Sequence, residues 1–179
     1  MNFVCRPAAL LAALLLSACT SFAPPAPTAG EALSGRLAVN VAATPQAAAR
    51  SVTANFELLG DARTGRLNLS TPLGSMLAQA RWSPEQVVLA TPQGERRFGD
   101  LDDLTREVLG ESLPLPALFD WLRGRPWSGA ASRETQPPAP PGFEQLGWTI
   151  DLTRYAQASV AATRAAPPAV TVRAKLDLP

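Results

Sequence analysis

Few side chains in this sequence have the types and spacing that chemistry needs. Among its 179 residues there is no histidine, which excludes imidazole bases, His-containing triads and His-ligated zinc. Ser75, Asp61 and Glu57 are candidates for a hydrolase. No Gly-x-Ser-x-Gly elbow and no evident carboxylate pair accompanies them, so they carry little weight as an active site. No glycine-rich loop ending in lysine is present to hold a nucleotide phosphate. Basic and acidic side chains number 16 and 15, so the basic excess of a nucleic-acid binder is missing. No enzyme and no cofactor is expected. The residues left with chemical potential are two thiols, Cys5 and Cys19, and an apolar stock of 46% of the chain.

Cys19 stands in a telling context. The segment Met1–Ala18 carries Arg6 and then an apolar run from Ala8 to Leu16. That run is well short of the roughly 20 residues needed to span a bilayer and reads as a secretory signal peptide. It ends in Leu16-Ser17-Ala18-Cys19, which resembles the lipobox of bacterial lipoproteins. The resemblance implies cleavage before Cys19, diacylation of its sulfur and acylation of its new amino terminus. Cys5 would leave with the signal and lipid would cap Cys19, so no thiol would remain for a disulfide or metal. Losing Arg6 would also leave basic and acidic side chains equal in number. One acyl chain holds a protein marginally, two or more hold it stably. The sorting rule of such lipoproteins retains those with aspartate after the cysteine at the inner membrane. Thr20 stands there, implying the periplasmic face of the outer membrane.

The expected organisation is therefore a signal peptide over 1–18, an acylated cysteine and Pro/Ala-rich tether over 19–33, and one domain over 34–179. Pro24, Pro25 and Pro27 lie in the tether, which is too poor in large apolar groups to offset its ordering entropy.

From Ser34 the apolar pattern has a period of two. Leu37, Val39 and Val41 share one face of a strand; Ala54, Phe56 and Leu58 share another. Leu67 with Leu69, Met76 with Ala78, Ala80 and Trp82, and Val87 with Leu89 continue the pattern. Trp148 with Ile150 and Val170 with Val172 close it. One wet face per segment means antiparallel strands, and seven or more in sequence predict a meander that curls. Two amphipathic helices interrupt it. Asp100 caps one that carries Leu101, Leu104, Val108 and Leu109 and stops at Gly110. The other, Pro116–Leu122, aligns Leu115, Leu118, Phe119 and Leu122, with Gly124 as its stop. Neither helix is stable alone, and the open face of the sheet is where both must lie. Ser132–Phe143, with four prolines, is predicted to be a loop.

A curled sheet lined by Leu, Val, Phe and Met can be plugged by its helices or can keep a cavity for an apolar ligand. Candidate cavity residues are Leu37, Val39, Phe56, Leu58, Leu67, Leu69, Met76, Leu118, Trp121 and Leu122. Trp82, Trp121, Trp127 and Trp148 are expected to pack or to anchor a lid. Thr71-Pro72-Leu73-Gly74 suits a type I turn between strands. Leu73 at its third place either folds back on the sheet edge or forms an exposed apolar tip able to dip into a membrane. Arg36, Arg66 and Arg81 either belong to a solvated strand face or meet an acidic partner.

These features together resemble the LolB family. The matching residues are the lipobox Leu16–Cys19, Gly35-Arg36-Leu37-Ala38-Val39, Arg66-Leu67-Asn68-Leu69-Ser70-Thr71-Pro72-Leu73-Gly74, and Leu113-Pro114-Leu115-Pro116. Trp121-Leu122-Arg123-Gly124-Arg125-Pro126 and Gly147-Trp148 complete them. The resemblance implies an unclosed antiparallel β-barrel, a half-barrel, with a helical lid over an apolar cavity. It implies a monomeric receptor that accepts acylated client lipoproteins from a LolA-type periplasmic carrier. Such a receptor inserts them into the inner leaflet of the outer membrane without ATP, with Leu73 as the inserting leucine. The helix that precedes the first strand in relatives is expected to shrink to Glu31–Leu33, Leu58 stands where relatives often carry Trp, and the Trp-containing end of relatives is missing after Pro179. A lipid-anchored envelope scaffold or sensor of the same architecture is the alternative.

Overall fold

The computed structural model describes residues 32–177; the signal peptide, Cys19 and most of the tether lie outside them. Eleven strands form one sheet: β1 (Leu33–Val41), β2 (Arg50–Gly60), β3 (Gly65–Ser70), β4 (Met76–Ser83), β5 (Gln86–Thr91), β6 (Gly94–Phe98), β7 (Ser132–Glu134), β8 (Gly142–Gln145), β9 (Trp148–Asp151), β10 (Ser159–Arg164) and β11 (Val170–Leu176). Helices α1 (Leu101–Leu109) and α2 (Leu115–Trp121) lie between β6 and β7. The strand order is β6-β5-β4-β3-β2-β1-β11-β10-β9-β8-β7. All pairs are antiparallel, and β1 pairs with β11 to join the two halves of the meander. The edges β6 and β7 do not pair with each other, so the barrel is unclosed. Glu95, Arg96 and Arg97 on one edge and a three-residue strand on the other discourage pairing with further chains.

Alternation turns into burial as the period-two pattern requires. Val39, Val41, Ala54, Phe56, Leu58, Ala80, Trp82, Val170, Val172 and Ala174 are buried on the concave face. Arg36, Asn55, Asn68 and Gln79 take the convex face, where Gln79 donates to Asn68 and Asn68 to Glu57. Arg36, Arg66 and Arg81 occupy this convex face too, with Arg81 paired to Glu95 at 2.7 Å.

The α1 caps are those read from sequence. The Asp100 side chain accepts from the Asp103 amide at 2.7 Å, and Gly110 ends the helix at φ 80° with its N–H on the Arg106 carbonyl. Helix α2 begins one residue earlier and ends one earlier than the expected Pro116–Leu122, with Pro116 in its first turn.

Four elements differ from the sequence reading. The segment Ser132–Phe143 is not all loop: its ends form β7 and the start of β8, and the prolines are confined to the connection. Because β7 is an edge strand, proline nearby costs no ladder hydrogen bond. Leu33 opens β1 as a strand residue instead of closing a helix, since it pairs with Leu58 of β2. Finally, β6 and β10 carry too few large apolar residues (Gly94-Glu-Arg-Arg-Phe98, Ser159-Val-Ala-Ala-Thr-Arg164) to announce themselves by hydropathy.

Candidate functional site

The concave interior has two halves. Under β8–β11 it is filled. Trp121 from α2 meets Trp148 from β9 with ring centroids 5.9 Å apart, and Phe143, Ile150, Val160, Ala162 and Val170 are buried around that half. Buried Gln145 holds this arrangement. Its Oε1 accepts from Trp121 Nε1 at 2.8 Å and the Trp127 amide at 2.9 Å, and its Nε2 donates to the carbonyls of Trp127 and Ala130. A buried polar residue is tolerated when its donors and acceptors are matched, and here they are. Glutamine on a short strand that follows a run of prolines gives no sequence signal for this role; only the tertiary fold reveals it.

Between α1, α2 and strands β1–β5 the interior is hollow. A cavity of about 110 Å³ lies there, walled by Leu, Val, Ala, Phe and Trp side chains, with Val172 of β11 at its margin. Thr105 is the one polar residue in the wall. Its hydroxyl bonds to the carbonyls of Leu101 and Asp102 and accepts from the Leu113 amide at 3.0 Å, so nothing in the wall asks for water. Trp82 floors the hollow: its ring stacks edge-on to Phe119 at 5.5 Å, and its Nε1 donates to the Asp61 carbonyl. The ring packs over Gly65, where a Cβ would come within 2.4 Å of it.

The two ends of this hollow differ. Leu58, Trp82, Leu115 and Phe119 are buried and seal the end near the β2–β3 and β4–β5 turns. At the other end Val52, Leu69 and Ala78 stay half-exposed and Val108 is 43% exposed. That end carries the β3–β4 turn and the C-terminus of α1. There Arg50 Nη1 donates to the Val108 carbonyl at 3.4 Å, and Arg164 of β10 pairs with Glu111 just past the helix.

Of the ten expected cavity residues, Leu37, Val39, Phe56, Leu58, Leu67, Leu69, Leu118 and Leu122 line the hollow. Met76 and Trp121 do not. Trp121 is consumed by the filled half. Met76 is 48% exposed because the register shifts between Leu69 and Ser70: Leu69 faces Ala78, but Ser70 faces Met76. The bulge breaks the alternation that would have turned Met76 inward. Strand alternation could not place Leu104 and Leu109 of α1, Leu113 of the α1–α2 connection or Leu115 of α2, which line the hollow as well.

Thr71–Gly74 forms the expected turn, with the Gly74 amide on the Thr71 carbonyl at 2.9 Å and Gly74 at φ 85°. Leu73 is 95% exposed; it does not fold back. The former hydrolase candidates are scattered. Ser75 lies in this tip, Glu57 on the convex face, and Asp61 at the opposite end of the barrel. There Asp61 accepts from the amides of Thr64 and Arg63, which hold its carboxyl below the ordinary range.

The comparisons name the family. The family model described as "Outer membrane lipoprotein LolB" matches residues 32–178. The "Outer-membrane lipoprotein LolB" of Bordetella pertussis is 35% identical over 148 residues, covering 79% of this chain and 74% of its own length. That of Cupriavidus necator is 32% identical over 162 residues, with 86% and 81% covered. That of Dechloromonas aromatica is 36% identical over 152 residues, with 80% and 78% covered. The family model spans every described residue, and with relatives at these identities over most of its length this chain belongs to the LolB family of outer membrane lipoproteins.

Proposed function

We propose that this protein is the receiving host for acylated lipoproteins at the outer membrane. It accepts them from a LolA-type periplasmic carrier and inserts them into the inner leaflet. The observation that supports this most is the dry apolar hollow whose exposed end lies beside the Leu73 turn. A triacylated client carries on the order of 45 methylenes, each costing about 0.8 kcal/mol to expose to water. Its tails must therefore pass from one apolar host to the next. A host needs a greasy interior, a lid, and a membrane contact at the mouth. No nucleotide is required if each host binds more strongly than the last. Cys19, acylated, holds the domain at the periplasmic face, and a single Leu73 contributing about 1.5–3 kcal/mol on burial needs only to orient a tethered monomer.

The closed hollow is small. An engineered cavity of about 150 Å³ takes one benzene, so 110 Å³ admits a few carbons and the lid must rise to admit a chain. That small volume is what favours the second reading, an anchored scaffold or sensor that never hosts a tail. Transfer separates the two. Soluble protein carrying Cys19→Ala should strip an acylated lipoprotein from the carrier, and Leu73→Glu should still accept it but deliver little to liposomes. Failure to accept defeats the receptor reading, and undiminished delivery by Leu73→Glu defeats the role of Leu73. Depleting the protein from cells should make lipoproteins accumulate before the outer membrane, which a scaffold would not cause.

A further inference from the structure

The two ends of the barrel differ in chemistry far more than one leucine accounts for. At the end that carries Leu73, the strand connections 42–49, 71–75, 92–93, 146–147 and 165–169 contain no charged residue; they are Ala, Pro, Thr, Gln, Gly, Ser and Leu. The charged groups at that end, Arg50, Glu111 and Arg164, lie beside the C-terminus of α1, where Arg50 bonds the Val108 carbonyl and Arg164 pairs with Glu111. The connections at the opposite end include Asp61, Arg63, Glu85, Asp100 and Arg154. Among the uncharged connections a second hairpin, β8–β9, also ends in an exposed leucine. Leu146 stands at φ 55° beside Gly147 at φ 77°, a two-residue turn with both residues left-handed. Asn-Gly is the favoured pair in such a turn, and a leucine there is strained. Leu146 is 46% exposed, so close to half of a large apolar side chain faces out from a strained tip. Backbone strain at an outward-facing apolar residue points to function.

We propose that Leu146 is a second membrane-contact residue and that the uncharged strand connections from Leu73 to Leu146 are the face this domain lays on a phospholipid bilayer. The inference rests on the receptor reading above. In the sheet order β2, β1, β11 and β10 stand between the two hairpins, so two contacts restrict the roll that one would leave free. Met76 and Leu77, both exposed at the base of the first tip, add to the same face. Charge segregation selects the bilayer as partner, because an interfacial membrane surface accepts apolar and small polar groups while the charged end stays in water. The tether permits it. Leu33 starts β1 at the charged end, so an anchor at the other end requires the preceding chain to be long enough to span β1. The fourteen residue steps from Cys19 to Leu33 reach about 46–50 Å when extended, against about 30 Å for the nine residues of β1.

The test uses the chain from residue 19 with Cys19→Ala, floated with phosphatidylethanolamine–phosphatidylglycerol vesicles, alongside its Tm. Leu146→Asn should lower partitioning about three- to tenfold, as expected for half a leucine, while leaving Tm equal or higher because asparagine suits the turn. Leu146→Gly, equally free of strain, should do the same. Unchanged partitioning in Leu146→Asn, alongside a loss in Leu73→Asn, overturns this proposal and leaves the receptor reading standing. A fall in Tm with both Leu146 variants overturns it in favour of a structural leucine. No partitioning of the parent chain, despite acceptance from the carrier, overturns membrane docking by either leucine.

Discussion

Filling the hollow should stabilise this protein and disable it. At about 24 cal/mol per Å³, an empty space of 110 Å³ costs the fold about 2.6 kcal/mol. Ala80, buried on β4 between Leu67 and Leu89 in the register, lines that space. Ala80→Leu adds three carbons, worth about 2.4 kcal/mol at 0.8 each if they enter it, which nearly matches the cost of the void. For a domain of this size about 2–4 °C follows from each kcal/mol, so Tm should rise by about 5–10 °C at most. On the receptor reading proposed above, the same three carbons would occupy the volume an acyl tail enters. A fluorescent fatty-acid probe titrated into the soluble protein should therefore lose affinity in Ala80→Leu, and equally in Ala54→Leu from β2. Overpacking a solid core would instead cost about 1–3 kcal/mol. A lower Tm with probe binding intact in both variants would refute the reasoning, because it would mean that the site is neither empty nor used.

Two further outcomes follow from the ends of the barrel. Gln145→Leu leaves the Trp121 and Trp127 donors and two carbonyls without partners. The Trp121 indole is the fully buried partner, so at about 1–3 kcal/mol for an orphaned buried group urea unfolding should show a loss of at least about 1 kcal/mol, and unchanged stability would contradict the role given to Gln145. Asp61 has its carboxyl held low by the Thr64 and Arg63 amides, so its contribution is present above the unfolded carboxylate value and disappears as pH falls through the lower folded one. The stability gap between parent and Asp61→Asn should thus be open near pH 7 and narrow as pH falls below the ordinary aspartate range; a gap independent of pH would exclude this turn as its source.

How much of this was legible depends on whether the signal was local. Strands β1–β4 announce themselves because large apolar residues alternate with polar ones, and α1 because Asp100 and Gly110 mark its ends. The turn at Leu73 was legible from Pro72 and Gly74, whose backbone preferences fix it whatever surrounds it. Met76 was misplaced because a bulge is a two-strand event and leaves no mark in one strand's sequence. Trp121 was misplaced because its destination depends on Gln145 and Trp148, which lie far along the chain. The division of the interior into a filled and a hollow half is of this second kind. Alternation says which side chains point inward; it does not say which of them meet.

That division also decides which part of the lid can move. Helix α2 is pinned at its end by Trp121, whose indole is locked to Gln145 and packed on Trp148, so lifting it would break a satisfied buried network. Helix α1 is seated by buried Leu101, Leu104 and Leu109 and by the Thr105–Leu113 bond to its own connection, but by no hydrogen bond from a buried ring to the sheet like that of Trp121. It meets the hollow with Leu104, Thr105, Val108 and Leu109, and its C-terminal end is held by exposed or half-buried contacts: Arg50 on the Val108 carbonyl and Glu111 with Arg164. Such contacts are individually weak beside a buried hydrogen-bonded tryptophan. Raising α1 would also open the hollow at the end where Val108 is already exposed, beside the Leu73 turn. The energetic cost is further reduced because the atoms under α1 border a void and have fewer partners to lose. The empty space thus supports two steps at once: it leaves α1 loosely seated, and it rewards whatever apolar chain arrives to fill it.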